Sequence, residues 1–414
     1  MTLNQRKLLF AVLVAGLSWP GLAQAGAARV WVGSWATSQQ IPEPANVLAT
    51  EDLHDATLRQ IVHLSVGGAS LRVHVSNAFG TAPLHFTSVH IAVPVSAASA
   101  KIDAATDRAL SFSGKGDVIV PAGAEYVSDA VDYPVAALSN LAITLHLDEA
   151  PAQETGHPGS RATSYVAHGD LVAAADLPDA KKVDHWYQIA GVDVTGPVNG
   201  AAVVALGDSI TDGHGATTNG NDRWPDEMAQ RLQASAATRG VGVLNHGIGG
   251  NHLLTDGLGP NALARFDRDV LAQTGSKYVI LLEGVNDLGG LERVHEASQE
   301  EHDALVRRVL AAYEQIVVRA HARGIKVIGA TILPYVGSDY YHPGPKSEAD
   351  RQAVNTWIRA AGHFDAVVDF DKVTRDPAHP DRLLPAYDCG DHLHPSPAGY
   401  KAMSEAIPLS LFAQ

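Results

Sequence analysis

The sequence predicts a β-rich, sandwich-like domain followed by an α/β domain whose parallel sheet is covered by helices on both faces. In residues 26–196, short segments alternate apolar and polar residues and are separated by glycine and proline turns. In residues 197–414, short apolar runs alternate with stretches of helical periodicity, as buried parallel strands and their crossover helices do. The 414 residues also exceed what one compact domain usually holds.

The β-rich part is expected to form a β-sandwich or a jelly roll. Gly67 and Gly68 separate two of its alternating segments and therefore predict a hairpin between them. Its aromatic residues either belong to the core or offer faces on which sugar rings can stack; they include Trp31, Trp35, Tyr126 and Tyr133. The predicted strands fall near 61–66, 71–75, 89–93, 117–120 and 141–147.

The α/β part begins with the apolar run 201–206, which predicts the first parallel strand. In such sheets ligands bind beyond the carboxyl ends of the strands, so chemistry is expected in the loops that follow them. Further strands are predicted at 241–244, 278–282, 326–332 and 366–370, and helices at 224–238, 261–273, 301–323, 347–361 and 397–412.

The first 25 residues predict a secretory signal peptide. Arg6 and Lys7 form a positive segment, residues 8–17 are an apolar run, and residues 23–25 have the small-x-small pattern of a cleavage site. The apolar run is too short to span a bilayer, although a retained N-terminal anchor is the alternative. Cleavage after Ala25 would leave a secreted or periplasmic protein.

Charge and cysteine content exclude several classes of partner and linkage. A formal net charge of −15 argues against nucleic acid or an anionic membrane as the partner. The single cysteine, Cys389, excludes an internal disulfide. Because Cys389 lies close to Asp391 and His394 in the sequence, a cysteine nucleophile is one interpretation, and a small buried side chain is the other.

A candidate nucleophile follows the first predicted strand of the α/β part. Ser209 stands in the segment 207–213, Gly-Asp-Ser-Ile-Thr-Asp-Gly, where glycine allows a sharp turn at the edge of the sheet. A tight turn before a helix would have the same composition, because aspartate and serine also favour turns and helix caps. The segment therefore needs partners elsewhere in the chain before it indicates chemistry.

A candidate base lies near the C-terminus, in the segment Asp391-His-Leu-His394-Pro. A serine hydroxyl needs an adjacent base, and a histidine base is usually oriented by a carboxylate on its other ring nitrogen. Two alternatives remain. The segment could be a turn that caps the last helix with Ser396, or His392 and His394 could bind a metal, although no second cluster of ligands accompanies them.

Two further segments supply hydrogen-bond donors. Residues 245–251, rich in glycine and asparagine, follow the second strand, and residues 284–287, Gly-Val-Asn-Asp, follow the third. Acyl transfer builds negative charge on a carbonyl oxygen, which glycine N–H groups and asparagine amides can stabilise. Each segment alone could be an ordinary turn. Together with the serine, the histidine and the aspartate, they form a complete set for acyl transfer at one sheet edge.

These four segments resemble the SGNH hydrolase family, also called GDSL-type esterases and lipases. They occur in the family's order and cover the chain from about residue 200 to its end. One register is ambiguous, since Gly249 precedes the glycine that best matches. The fourth residue of the first block is Ile210 instead of leucine. The matching residues are Ser209, Gly250, Asn286, Asp391 and His394.

The resemblance implies a flavodoxin-like, three-layer α/β/α fold. It also implies that Ser209, Asp391 and His394 form a catalytic triad, with an oxyanion hole from the N–H groups of Ser209 and Gly250 and the Asn286 side chain. It implies no metal and no organic cofactor. The ordinary α/β-hydrolase segment Gly-x-Ser-x-Gly does not occur in the sequence.

The function implied by this resemblance is the hydrolysis of carboxylic esters through an acyl-enzyme. We expect short acyl groups such as acetyl, carried by a small molecule or a polysaccharide. Lipase or lysophospholipase activity on longer chains is the alternative, and a non-catalytic glycan-binding protein is a second one. Residues 335–345, rich in tyrosine, glycine and proline, form either a wall of the site or a plain loop.

Overall fold

The structure is a computed structural model that describes residues 30–293 and 295–413. The predicted signal peptide of residues 1–25 lies outside the described residues. Within the part of the chain that is described, every helix is too short or too polar to cross a bilayer.

The β-rich part consists of short strands and one helical turn, α1 (Thr50–Leu53). Its strands are β1 (Trp31–Ala36), β2 (Ala56–His63), β3 (Gly68–Ser76), β4 (Leu84–Ala92), β5 (Arg108–Ala109), β6 (Val118–Val120), β7 (Glu125–Val127), β8 (Val131–Val135), β9 (Asn140–Leu147), β10 (Gly156–His157), β11 (Ser164–His168), β12 (Lys181–Val183), β13 (Trp186–Tyr187) and β14 (Ile189–Thr195).

These strands form two antiparallel sheets and a short ribbon, as far as the described residues show. One sheet has the order β1-β14-β3-β7, with β8 also paired to β3. The other has the order β12-β11-β2-β9-β4-β5, with β6 paired to β4, and β10 and β13 form the ribbon. Leu71 and Val73 on β3 share one apolar core with Leu58 on β2 and Leu145 on β9, so the two sheets pack face to face. The predicted antiparallel, β-rich first part is therefore confirmed.

The predicted hairpin at Gly67 and Gly68 is wrong, because β2 and β3 lie in different sheets. Between them the chain crosses from one sheet to the other: the Leu64 N–H donates to Ser139 O (2.8 Å) and the Ser65 N–H to Ser34 O (2.8 Å). A Cβ at Gly67 would lie 2.5 Å from Val135 O, so glycine is needed for this close crossing. Alternation along each strand carries no information about which strand it pairs with.

The α/β part alternates strands and helices as predicted. Its strands are β15 (Ala201–Gly207), β16 (Val241–Gly247), β17 (Ser276–Leu282), β18 (Lys326–Ala330) and β19 (Ala366–Val368). Its helices are α2 (Ser209–Asp212), α3 (Trp224–Ala234), α4 (Ala262–Phe266), α5 (Val285–Gly290), α6 (Gln299–His321), α7 (Pro345–Arg359), α8 (Phe370–Thr374) and α9 (Pro397–Glu405).

The five strands of this part pair in parallel in the order β16-β15-β17-β18-β19. This is the flavodoxin-like order, which confirms the predicted fold class. All seven residues of β15 are buried, as a central strand covered on both faces requires. The order reverses at β15, and ligands bind at such switch points, so the loops after β15, β16 and β17 are the expected place for a site.

Two predicted helices differ in length from those observed. The predicted helix 261–273 is α4 followed by one turn of π-helix, Asp267–Leu271. The predicted helix 397–412 ends at Glu405, because Pro408 cannot continue it, and a 3-10 turn follows at Leu409–Leu411.

The two parts of the chain pack closely against each other along β1. The Gly33 N–H donates to Thr274 O (3.0 Å), and the Val243 N–H of β16 donates to Ser65 Oγ (2.9 Å). The apolar core runs without interruption from Val32 on β1 into the α/β part. The predicted boundary between residues 196 and 197 stays a prediction, because a shared core does not show whether either part folds alone.

Candidate active site

Ser209 lies immediately beyond the carboxyl end of β15, at the first position of α2. Asp208 caps this helix, since its Oδ1 accepts the Ile210 N–H at 2.9 Å. The turn is tight: a Cβ at Gly207 would lie 2.1 Å from Thr211 Oγ1. Only 7% of Ser209 is exposed, so the turn presents the hydroxyl in a confined space.

His394 and Asp391 meet Ser209 from the loop before α9. Ser209 Oγ lies 2.7 Å from His394 Nε2, and His394 Nδ1 lies 2.6 Å from Asp391 Oδ2. The structure thus brings together the three residues of the predicted triad, although they come from opposite ends of the α/β part. The order is that of a nucleophile, a base and a group that orients the base.

The spacing of Asp391 and His394 is held by a local turn. Asp391 Oδ1 accepts the N–H groups of Leu393 (3.0 Å) and His394 (2.8 Å), while Oδ2 faces the imidazole. Partial burial alone would raise the pKa of Asp391. The hydrogen bonds and charge of His394 outweigh burial and hold that pKa well below its usual range. Asp391 is therefore ionised at neutral pH and can stabilise a charged imidazole.

The helix-capping interpretation of this segment also holds. Ser396 Oγ accepts the Gly399 N–H at 3.3 Å, and Pro397 occupies the first turn of α9. By contrast, the structure does not bring His392 to His394, because His392 Nδ1 lies 2.6 Å from Asp388 Oδ2. The cap explains why the loop is rigid at the point where His394 leaves it.

Cys389 is poorly suited to act as the nucleophile. Partial desolvation and the neighbouring carboxylates of Asp391 and Asp388 raise the pKa of Cys389 to about 11. Its thiol is therefore protonated at neutral pH. The side chain that hydrogen-bonds His394 Nε2 is Ser209.

Gly250 follows β16 in a left-handed conformation, with φ of +69°. A Cβ there would lie 2.6 Å from Leu258 Cδ1, whereas a Cβ at Gly249 would reach only within 3.6 Å of Asp212 Oδ2. Position 250 is thus the one that demands glycine. Among the described residues, no acceptor pairs with the backbone N–H of Ser209 or Gly250. Both groups can therefore donate to a bound oxyanion.

Asn286 on α5 has a fixed amide orientation. Its Oδ1 accepts the Tyr341 hydroxyl at 2.5 Å, and its Nδ2 donates to Asn251 O at 2.5 Å. The second Nδ2 proton remains available for a bound oxygen. Next to it, Asp287 accepts the N–H groups of Leu253 and Leu254, which ties the loop after β16 to α5. The Asn-Asp pair therefore links the two predicted donor segments.

Arg265 is a buried residue beneath the site that the sequence did not reveal. Its guanidinium donates to Gly207 O (2.9 Å) at the end of β15 and to His246 O (2.7 Å) near the end of β16. The carboxylates of Asp269 and Glu283 pair with it at 3.0 and 3.3 Å. In the sequence, Arg265 and Asp269 have the i, i+4 spacing of an ordinary surface ion pair, so nothing marked them as buried.

His214 is a second residue that the sequence did not single out. Its ring centroid lies 4.1 Å from that of His394, and its Nε2 lies 3.6 Å from Asp391 Oδ2. It stands five residues after Ser209, in the loop that follows α2. The one available signal was its place beside two glycines at the end of the first motif, which by itself indicates only a turn.

A cavity of about 880 Å³ opens above these residues. Ser209, Gly250, Asn286, Asp391 and His394 all line it. Residues 338–341 form part of its wall, which confirms one of the two interpretations of the segment 335–345. The β-rich part lines the same cavity with Gln40, Glu43, Asn46, Pro158, Gly159 and Arg161.

The aromatic residues considered for sugar stacking are not the ones at this cavity. Trp35 and Tyr133 are buried in the core, so their faces are unavailable. Trp31 packs under the Arg72 guanidinium at 4.7 Å, and Tyr126 is exposed on β7, away from the cavity lining. Tyr340, about half exposed, is the aromatic side chain at the rim.

Comparison with known proteins identifies the same region. Residues 205–402 match the model of the family described as GDSL-like Lipase/Acylhydrolase. No curated protein matches the chain.

Solved structures with similar regions include three bacterial proteins. A protein of the G-D-S-L family from Desulfitobacterium hafniense is 25% identical, over 50% of this chain and 97% of its own, with a TM-score of 0.37. A GDSL-like lipase from Bacteroides thetaiotaomicron is 21% identical, over 51% and 87%, with a TM-score of 0.37. Axe2, an acetylxylan esterase from Geobacillus stearothermophilus, is 23% identical, over 50% and 93%, with a TM-score of 0.38.

Proposed function

Because residues 205–402 belong to the GDSL-like lipase/acylhydrolase family, we propose that Ser209 is the nucleophile of this carboxylic ester hydrolase. The observation that carries the proposal is the unbroken chain of hydrogen bonds from Ser209 Oγ through the His394 ring to Asp391. A hydroxyl hydrogen-bonded to an oriented imidazole is the arrangement that activates serine.

In the first step, His394 Nε2 accepts the Ser209 proton while Oγ attacks the ester carbonyl carbon. The ionised Asp391 holds the Nδ1–H tautomer and stabilises the imidazolium that forms. When the tetrahedral intermediate collapses, His394 gives the proton to the leaving alcohol. The product is an acyl group on Ser209 Oγ.

The negative charge of the tetrahedral intermediate needs donors that are already in place. We assign this role to the N–H groups of Ser209 and Gly250 and to Asn286 Nδ2. The unpaired state of the two backbone groups and the fixed amide of Asn286 support the assignment. In the second step, water activated by His394 attacks the acyl carbon, and the same donors stabilise the second intermediate.

The proposed substrate is a short-chain ester, such as an acetyl ester, on a polar alcohol such as a carbohydrate. Polar side chains dominate the cavity lining, and the aliphatic ones are few: Leu258, Leu393 and Pro158. A long acyl chain would require a continuous apolar wall. The half-exposed ring of Tyr340 offers a surface on which a sugar could pack.

The test is the hydrolysis of p-nitrophenyl esters from acetate to palmitate, together with acetate release from acetylated xylan. Ser209→Ala serves as the control. We expect preference for acetate, release of acetate from xylan, and loss of activity in the control. Preference for long chains without xylan activity would instead assign the lipase-type alternative. Undiminished activity of Ser209→Ala would overturn the role of Ser209.

A fluorophosphonate probe separates the enzyme from a non-catalytic glycan-binding protein, because labelling requires an activated serine. We expect the wild-type chain to be labelled and both Ser209→Ala and His394→Ala to remain unlabelled. An unlabelled wild-type protein that is folded and binds glycans would favour the binding protein.

We also propose that the protein is exported after cleavage behind Ala25. The positive, apolar and small-residue segments of residues 1–25 support this proposal. Sequencing the N-terminus of the mature protein from its native host tests it, and an intact N-terminus starting at residue 1 or 2 would contradict it.

A further inference from the structure

His214 occupies a defined position beside the triad. Gly213, with φ of +102°, ends α2 after a single turn. The His214 N–H then donates to Ser209 O (2.9 Å), and its carbonyl accepts the Tyr400 hydroxyl from α9 (2.5 Å). The backbone of His214 is thus fixed to both the nucleophile's turn and the helix that follows His394.

The ring of His214 faces the two other members of the triad. It packs on His394 at a centroid distance of 4.1 Å with an angle of 38° between the rings. Its Nε2 lies 3.6 Å from Asp391 Oδ2, the same oxygen that binds His394 Nδ1. Movement of either His394 or Asp391 away from Ser209 would therefore have to displace His214.

Arg161 determines which ring nitrogen of His214 carries the proton. Arg161 Nη2 lies 3.3 Å from His214 Nδ1, and a guanidinium can only donate. His214 Nδ1 must then be the acceptor, which places the proton of the neutral ring on Nε2, facing Asp391. Arg161 belongs to the loop between β10 and β11, so the β-rich part supplies this contact.

The surroundings keep His214 neutral. Burial is the largest effect, and the charges of His394 and Arg161 add to it; together they lower the pKa of His214 to about 4. Asp391 and Asp212 act in the opposite direction but do not prevail. A neutral ring can sit against His394 without repelling the imidazolium that forms during the reaction.

We propose that His214, held by Arg161 of the β-rich part, is a positioning residue that orients Asp391 and His394. This inference rests on the proposed triad. Its N–H directed at Asp391 shares the carboxylate's charge, and its ring supports the His394 ring in the orientation that reaches Ser209. The β-rich part would then contribute to the catalytic apparatus itself as well as to the cavity wall.

The first test uses His214→Phe, which keeps a flat ring but removes both nitrogens. In metal sites, partners that orient a ligand histidine are worth about 10- to 100-fold, and we expect the lower end here: a tenfold fall in kcat on p-nitrophenyl acetate. KM should change by less than about twofold, since no substrate contact is removed. With one donor fewer on Asp391, its charge favours protonated His394, so the acid limb of kcat/KM should move to higher pH.

Two further variants and a control complete the design. His214→Gln, which retains a donor, should recover part of kcat. Arg161→Gln should move the acid limb in the same direction by a smaller amount. The control is His392→Gln, because His392 also pairs with a carboxylate in this loop, Asp388, but touches no member of the triad. Melting temperature and fluorophosphonate labelling establish that each variant is folded.

An unmoved acid limb with kcat within about twofold of wild type in folded His214→Phe would overturn the inference. If that variant does not fold, Arg161→Gln decides by the same criterion. A rise in KM confined to substrates that carry a carboxylate, with an unmoved pH profile in Arg161→Gln, would make Arg161 a substrate contact instead. Activity in Ser209→Ala is a separate outcome, since it would overturn the proposed function and not this contact alone.

Discussion

His157 of the β-rich part and Asp212 of α2 form a buried ion pair across the junction of the chain's two parts, with Nε2 2.9 Å from Oδ1. The other ring nitrogen, Nδ1, lies 2.9 Å from Ser38 O. Because a carboxylate and a carbonyl oxygen both accept, the ring can donate from both nitrogens. Asp212 is three residues after Ser209, so this pair fixes the helix that carries the nucleophile.

Replacing His157 by leucine should therefore destabilise the protein strongly. Removing one partner of a buried ion pair leaves the other charge uncompensated, which costs about 3–5 kcal/mol. Urea unfolding checks this, with Lys181→Ala as the control. Lys181 pairs with Asp52 at the surface, where a pair is worth less than about 1 kcal/mol. Equal losses in the two variants would contradict the importance of the buried pair.

Asn286→Ala should lower kcat by roughly 100-fold or more, because it removes one proposed donor to the oxyanion. Tyr341→Phe is the matched change one bond further away: it removes the hydroxyl that orients the Asn286 amide, and about 1 kcal/mol corresponds to roughly fivefold. Steady-state kinetics on p-nitrophenyl acetate measures both. Wild-type kcat in Asn286→Ala would exclude its side chain from the oxyanion hole.

Gly250→Ala and Gly249→Ala decide which glycine the site requires. Alanine at position 250 must adopt φ of +69°, which costs about 1–2 kcal/mol, and its Cβ would meet Leu258. We expect lower stability and a clear loss of kcat, since the turn must move the N–H group. Alanine at position 249 meets its nearest neighbour at 3.6 Å and should be tolerated. The reverse pattern would assign the role to Gly249.

Stability should fall as the pH rises toward 9, because of His74. Desolvation opposes its charged form, but Asp193 and Glu125 bind both ring nitrogens and raise the pKa of His74 to about 9, above the ordinary 6.5. A pKa raised by folding stabilises the native state fully below about pH 6.5, and this contribution is lost as the pH rises through 9. The amount is of the order of 3 kcal/mol.

Urea unfolding at pH 6 and pH 9.5 tests this prediction, with His74→Asn as the comparison. The wild-type protein should lose more stability between the two pH values than the variant does. An equal loss would show that other groups cause the decrease.

The sequence determined the alternation of strands and helices in the α/β part, and with it the sheet edge at which Ser209, Gly250 and Asn286 converge. This was possible because the loops after parallel strands share one edge, so motifs that follow β15, β16 and β17 meet whatever the details of packing. The Asp391–His394 spacing was equally local, since a turn of four residues brings both side chains together.

Tertiary structure alone decided the contacts made between distant segments. The hairpin at Gly67 was predicted wrongly because alternation reports burial along one strand, whereas pairing depends on strands far away in the chain. Arg161 and His214 are 53 residues apart, and Arg265 contacts the ends of two strands that precede it. Such contacts depend on how the two parts pack, because a side chain's partners across a core are set by long-range geometry that no local pattern encodes.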